Sequence, residues 1–238
     1  MVSLIRLLTI YVAQGLVCAF FIFLAYKILK RDRKRLNVIF SGFYISAALG
    51  IIINFIYGPI DDEALVNIVR ILNFLTNFGI FYAPIFLVVF DLILLKSEKV
   101  ITTGKQLLIL IGYAIAMFCT VFLAVMEDIG ISFNEDWAPV WGIGFFLYLI
   151  TIESVFAIIP SLFYSVQIYK KFEDDQLKQK WKYFIFGFCA LAIFMYGIMF
   201  SNFLDISIVR TLMGIIGIVC GITGAYLMYS GVGRQLEK

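Results

Sequence analysis

The stretch "AYKILKRDRKRLNVIFSGF", residues 25 to 43, joins two apolar segments through a strongly basic loop. Six of the nine residues from Lys27 to Arg35 are Lys or Arg. A basic run often indicates a nucleic-acid site, but a run with about twenty apolar residues on each side is typical of a loop held on one side of a membrane. We therefore interpret this run as a determinant of membrane topology and expect no nucleic-acid partner.

The composition is that of an integral membrane protein. Of the 238 residues, 63% are hydrophobic and only 15% are charged, and the mean hydropathy is +1.00. A soluble domain would have about a quarter of its residues charged. The sequence predicts an all-α, multi-pass protein of the cell membrane, with a single seven-helix transmembrane domain over 1–238. The predicted spans are 7–29, 38–60, 71–95, 106–126, 143–169, 183–204 and 211–230.

The orientation of the bundle follows from its Lys and Arg residues, which are retained on the cytoplasmic side. Sixteen of the 19 lie after the first, third or fifth span or in the tail, and the other three are Arg6, Arg70 and Arg210. The N-terminus is therefore predicted to be outside and the C-terminus cytoplasmic. The basic run follows the first apolar segment, so we expect that segment to stay in the mature protein.

Two short matches indicate an internal duplication. "NIVRIL" at 67–72 precedes the third span and "SIVRTL" at 207–212 precedes the seventh, while Tyr-Lys, a charged loop and Gly-Phe occur at 26–43 and again at 169–188. The arrangement predicted is three spans, a linker span and three spans in parallel, a 3+1+3 repeat of a kind that some transporters have. The alternative is chance similarity between apolar segments.

Small residues form a stripe on the seventh span. Gly214, Gly217, Gly221 and Gly224 follow one another at spacings of three, four and three residues. Such a stripe lets two helix backbones approach closely. We expect it to pack against another helix, either within the bundle or in a homodimer.

Polar residues inside the spans are the candidates for a binding site, because they are costly in hydrocarbon. Glu153 lies near the middle of the fifth span with no Lys or Arg at similar depth, so we expect its carboxyl to be protonated or hydrogen-bonded to neutral groups. With it, an outward-facing pocket for an unknown small ligand is predicted from Gln14, Asn54, Asn73, Asn77 and Asn202. Hydrogen bonding between helices is the alternative role for the amides. Asp91 is expected to reach the cytoplasmic interface.

The sequence also excludes several chemistries. It contains no His, which rules out His-ligated haem or metal centres and a Ser-His-Asp triad. We expect no metal, no cofactor and no enzymatic activity. Trp137 and Trp141, in the longest outer loop, are expected to anchor the protein at the headgroup layer.

The pattern of "YKILKRDRKR", "NIVRIL", "YAPIFLVVF" and "WAPVWGIGFFLY" resembles the seven-span sensor module found N-terminal to some prokaryotic histidine kinases. The matching residues are Arg70 before the third span and Pro84 and Phe90 within it. The resemblance implies a sensory function. After the seventh span the sequence has only "GVGRQLEK", with no kinase domain. We therefore expect signalling through the loops or a separate cytoplasmic partner.

Three functions remain open at this point. A receptor-like sensor that acts in signal transduction is favoured by the resemblance and by the polar pocket. A small-solute or proton-coupled transporter is favoured by the repeat and by Glu153. A structural subunit of a membrane complex is favoured by the small size and the short loops.

Overall fold

The computed structural model describes residues 4–126 and 128–233, and so two of the counted basic residues, Arg234 and Lys238, lie outside it. Seven helices in these ranges are long and apolar enough to cross a membrane, which confirms the seven-helix prediction. We number them as spans one to seven: Arg6–Arg31, Arg35–Tyr57, Glu63–Lys96, Thr103–Ala124, Ile143–Lys171, Asp175–Leu204 and Ser207–Val232. The end with the loops at 32–34, 97–102 and 172–174 is called the basic side.

Several spans are made of more than one helical segment. The α-helices are Leu4–Leu8, Gly15–Arg31, Arg35–Tyr57, Val66–Tyr82, Pro84–Lys96, Thr103–Phe118, Thr120–Ala124, Ile143–Glu153, Ile159–Lys171, Asp175–Leu204 and Ser207–Met228. The π-helical turns are Thr9–Gln14, Ser154–Ile158 and Tyr229–Gly233, and Glu63–Leu65 is a 3₁₀ turn. Span three breaks at Ala83, because Pro84 has no N–H with which to continue the helix. Span five changes to a π turn directly after Glu153.

Two spans begin eight residues earlier than the apolar pattern predicts, a larger difference than at the other spans. Span three begins at Glu63 instead of 71, and span six begins at Asp175 instead of 183. The Asp62 carboxylate accepts a hydrogen bond from Ala64 N, and Asp174 Oδ1 accepts from two backbone N–H groups at 2.6 and 3.1 Å. Such caps satisfy the free donors of a first turn. The helices therefore extend past the apolar residues into the loops.

The structure is consistent with the predicted all-α bundle, and it adds a short β-hairpin between spans four and five. Strands β1 (Ile131–Phe133) and β2 (Pro139–Trp141) are antiparallel, with Ile131 opposite Trp141. Asn134 Oδ1 closes the turn by accepting from two backbone N–H groups, as Asn commonly does in turns. We call the end of the bundle that carries β1 and β2 the hairpin side.

Trp141 lies inside the protein, so the headgroup anchor expected at this position is wrong. Only 1% of its surface is exposed. Its indole lies edge-on against Phe145, with ring centroids 5.0 Å apart, and against Phe81 at 6.2 Å. The hairpin ends at this residue, and therefore one end of the hairpin is part of the helix core.

Glycine brings two pairs of spans into backbone contact. A Cβ added to Gly79 of span three would lie 2.7 Å from the Cα of Gly50 in span two. A Cβ added to Gly187 of span six would lie 2.5 Å from the carbonyl oxygen of Gly224 in span seven. Neither position has room for a side chain, and the close approach depends on glycine at both.

The predicted glycine stripe of span seven packs over only part of its length. Gly224 meets Gly187 of span six, and the added Cβ of Gly217 would lie 2.7 Å from the Phe194 ring. The nearest atom to a Cβ on Gly221 belongs to Val17, at 3.7 Å. A Cβ on Gly214 would have no neighbour within 4 Å. The helix contact therefore begins about one turn after the first glycine of the stripe.

Candidate functional site

Glu153 is the last residue of its α-helical segment and lies fully inside the bundle, with 0% of its surface exposed. The hydroxyl of Tyr113, from span four, lies 2.6 Å from Glu153 Oε2. The other carboxyl oxygen, Oε1, has no hydrogen-bond partner among the described residues. Glu153 is therefore a buried acid with one neutral partner and one free oxygen.

Tyr113 connects Glu153 to the break in span three. Its hydroxyl lies 3.0 Å from the carbonyl oxygen of Phe81, two residues before Ala83. The Tyr113 ring stacks on Tyr82 with centroids 6.0 Å apart, and the residue is 5% exposed. Spans three, four and five therefore meet at one tyrosine hydroxyl.

Asp91 is a second buried acid, and the expectation that it reaches the interface is wrong. Its exposure is 0%, and Ser165 Oγ donates a hydrogen bond of 2.6 Å to Asp91 Oδ2. The indole N–H of Trp181, from span six, donates to the backbone oxygen of Ser165 at 2.8 Å. These contacts hold the side chain between spans three, five and six. Asp91 Oδ1 has no partner in the described part of the chain.

The π turn of span five changes which residues face the core. Regular helical spacing from Glu153 would place Pro160, Tyr164 and Gln167 on one face with it. A π turn takes more residues per turn, which rotates the helix that follows. The buried residues there are instead Ser161, Ser165 and Ile168, and the two serines have 1% and 0% exposure. Ser161 Oγ also has no hydrogen-bond partner among the described residues.

Hydrogen bonds do not join the six predicted site residues into one cluster. In the described structure their side chains belong to four separate hydrogen-bonded groups, and no hydrogen bond joins one group to another. These groups are Gln14 with Asn54, Asn77 with Asn73 and Tyr57, Glu153 with Tyr113, and Asn202 with Arg210. Asn77 has its partner within its own helix, and the other amides have partners on a neighbouring span, as in interhelical hydrogen bonding.

The hairpin is bound by three arginines from three different spans. Arg70 Nε of span three donates to Ile131 O on β1 at 2.8 Å, and Arg210 Nη2 of span seven donates to Pro139 O on β2 at 2.7 Å. Arg6 of span one donates to the backbone oxygen of Asp136 in the turn. Charge-assisted hydrogen bonds of this kind are strong. Binding of a loop by these arginines was not predicted from the sequence, although each lies near the end of its span.

The interior of the bundle contains a small cavity. The cavity is apolar and is lined by aromatic and aliphatic side chains that include Phe21, Phe43 and Leu191. Within 4–126 and 128–233, no group of three or more Cys, Asp or Glu side chains is placed to hold a metal ion.

Comparisons of the chain with protein-family models, with curated proteins and with solved structures found no match.

Proposed function

We propose that this chain is a receptor-like membrane module that transmits a change at the hairpin to the interior of the helix bundle. The observation that carries the proposal is the position of Trp141, which is buried against Phe81. The carbonyl of Phe81 lies beside the hydroxyl of Tyr113, and that hydroxyl lies beside Glu153. A displacement of the hairpin therefore alters the packing around the hydrogen bonds at the break in span three.

The charge distribution supports an outer position for the hairpin, because Lys and Arg concentrate at the opposite end. A small ligand would then act from outside, at the hairpin and the amide groups beneath it. A cytoplasmic partner would bind the loops of the basic side and respond to their change in position. This is in keeping with the resemblance to the sensor module of histidine kinases. Signalling through a partner is part of this proposal.

The 3+1+3 repeat is also part of the proposal, and two sets of contacts support it. Arg70 and Arg210 occupy the same place in the two "IVR" matches, and each donates to one strand of the hairpin. Gly42 and Gly187, which the repeat makes equivalent, lie against Phe86 of span three and Gly224 of span seven. In each unit the glycine of the second helix therefore meets the third helix.

The experiment that tests this function compares the two ends of the protein. Spin labels at Lys99 and Glu173, both exposed on the basic side, would report the distance between two loops of the full chain in lipid nanodiscs. Cys18, Cys119, Cys189 and Cys220 are first replaced so that only the labels react. We expect Arg70→Ala and Arg210→Ala to change the distance distribution.

Glu135→Ala is the matched control, because Glu135 is exposed at the tip of the hairpin. We expect this variant to give the unaltered distance distribution. Limited proteolysis shows whether the hairpin is released in the two arginine variants. If it is released and the distance distribution stays the same in both, the proposed transmission of a signal is contradicted. Solute uptake into proteoliposomes and identification of co-purifying proteins then distinguish a transporter from a receptor with a partner.

The orientation has its own test. A single cysteine at Glu135 should react with a membrane-impermeant reagent in intact cells, and one at Glu173 should be protected. The reverse pattern would place the hairpin in the cytoplasm and would remove the outer ligand from the proposal.

A proton-coupled transporter is the second candidate, and one observation favours it. Two fully buried acids, Glu153 and Asp91, lie at different depths of the bundle, and buried acids in spans commonly relay protons in transporters. Uptake of a solute driven by a pH gradient in proteoliposomes, and lost in Glu153→Gln, would support this candidate over the receptor.

A further inference from the structure

We propose that Glu153 binds an exchangeable proton, which passes to the basic side by way of Ser161 and the Asp91–Ser165 pair. The inference goes beyond the receptor function, because such a site would serve a sensor and a transporter equally.

The hydrogen bonds of Tyr113 require the proton. A tyrosine hydroxyl has one hydrogen to donate, yet two acceptors lie within bonding distance, Phe81 O at 3.0 Å and Glu153 Oε2 at 2.6 Å. Both contacts are full hydrogen bonds, with no sharing of one hydrogen, only if one of the acceptor groups is itself a donor. A carbonyl cannot donate, whereas a protonated carboxyl can. In that state Glu153 donates to Tyr113 Oη, and Tyr113 donates to Phe81 O.

Loss of the proton breaks one of these hydrogen bonds. The O–H bond of the acid breaks, its electron pair stays on the carboxylate, and the proton passes to water. The Tyr113 hydrogen then turns to the carboxylate, since a hydrogen bond to a charged acceptor is the stronger one. The carbonyl of Phe81 loses its hydrogen bond from span four. Protonation of Glu153 therefore controls whether span four is tied to span three next to its break.

The route is set by buried oxygen atoms that have no protein partner. Glu153 Oε1, Ser161 Oγ and Asp91 Oδ1 are all buried and all without a hydrogen bond within the described ranges. Buried polar atoms of this kind are commonly satisfied by internal water, which also conducts protons. On span five the two serines follow Glu153 toward the basic side, and Ser165 donates to Asp91. These groups therefore follow one another from mid-span toward the basic side, with Glu153 and Ser161 eight residues apart on span five.

The titratable neighbours of Glu153 are tyrosines, so Glu153 is the acid of the site. The titratable groups that interact with it are Tyr113 of span four and Tyr196 of span six, and Tyr82 of span three interacts in turn with Tyr113. Tyr196 is hydrogen-bonded to Ser154 at 2.7 Å. Tyrosine hydroxyls stay protonated far above neutral pH in water, where their pKa is about 10. The exchangeable proton is therefore assigned to the carboxyl of Glu153.

Infrared difference spectroscopy of the full chain in nanodiscs tests the site directly. Spectra recorded over a range of pH should contain a carboxylic-acid carbonyl band that responds to pH. We expect Glu153→Gln to remove this band and Tyr113→Phe to shift its frequency, because the acid then loses its hydrogen-bond partner. Thermal unfolding of both variants shows that they are folded. Wild-type and Glu153→Gln spectra that agree at every pH would overturn the proposal.

The route is tested by the rate at which the band shifts when water is replaced by D₂O. Ser161→Ala and Asp91→Asn should keep the Glu153 band and slow its exchange. Ser41→Ala is the matched control, because Ser41 is equally buried but lies in span two and donates to Val38 O. Exchange at the wild-type rate in both route variants would overturn the path through Ser161 and Asp91.

Discussion

Spans six and seven meet through glycine, whereas spans three, four and five meet through tyrosine, serine and carboxyl groups. At the first contact a carbonyl oxygen of Gly224 occupies the place where a Cβ of Gly187 would be. At the second, one hydroxyl of Tyr113 lies between a carbonyl and a carboxyl. Two backbones packed directly against each other have one arrangement, whereas a hydroxyl can turn from one hydrogen-bond acceptor to another. The difference indicates that the glycine pairs are a fixed frame and that the polar contacts can switch.

The largest loss of stability is expected at Gly187, where the backbone of span seven leaves no space for a side chain. Gly187→Leu would place a side chain against the backbone of span seven, and we expect a loss of more than about 3 kcal/mol of stability. Gly214→Leu is the control, because a Cβ there meets open space. Thermal unfolding in detergent measures both. A stable Gly187→Leu protein would mean that spans six and seven are not fixed against each other.

Gly217→Leu should have an intermediate effect. The atoms next to its added Cβ belong to the Phe194 ring, a side chain that can move, and not to backbone. We expect a loss of about 2 kcal/mol, within the usual range for overpacking. The same unfolding measurement should rank this variant between Gly187→Leu and Gly214→Leu, and any other order would contradict the assignment of contacts.

The arginine contacts should affect the hairpin more than the bundle. Arg210→Ala removes the hydrogen bond to Pro139 O together with an ion pair to Asp205 of 2.9 Å. We expect a local loss of about 1.5 kcal/mol, typical of a hydrogen bond to a charged group. Faster amide hydrogen exchange at 131–141, with unchanged exchange in span two, would agree with this. Equal acceleration throughout the chain would indicate that the hairpin holds the whole bundle together.

Substitutions of Glu153 should have the smallest effect on stability. Glu153→Leu leaves Tyr113 without its acidic partner and should cost about 1 kcal/mol. Glu153→Gln should cost less, because the amide N–H can donate to Tyr113 as the protonated acid does. Unfolding temperatures of the two variants measure the difference. A Leu variant that is more stable than the Gln variant would show that Glu153 has no polar role in the bundle.

The sequence was sufficient for the features that depend on one span at a time. Apolar runs predicted seven spans, and the cost of a charge in hydrocarbon pointed to Glu153. The sequence was not sufficient to predict which residues of a span face the core where the helix is rotated by an irregular turn. The π turn after Glu153 brings Ser161 and Ser165 to the core instead of Pro160 and Tyr164, and regular 100° spacing cannot anticipate this.

Contacts between distant segments were also beyond the sequence. Tyr113 looks like any tyrosine in an apolar span, and only the folded bundle places it between Phe81 and Glu153. Asp91 lies near the end of its span, and its burial depends on span five. A single signal for the hairpin was present in the printed residues. "ISF" and "PVW" flank "NEDWA", a short polar stretch with the Asn that turns favour.

The most direct test of the account is whether the hairpin and Glu153 are coupled. The infrared band of the Glu153 carboxyl should be followed over pH in the wild type, in Arg70→Ala, in Arg210→Ala and in the Glu135→Ala control. If Trp141, Phe81 and Tyr113 link the two sites, release of the hairpin must change the protonation behaviour of Glu153, because coupling between sites is reciprocal. The account predicts a shifted midpoint in both arginine variants and an unshifted one in the control. The same titration curve in all four proteins, with the hairpin demonstrably released, would contradict it.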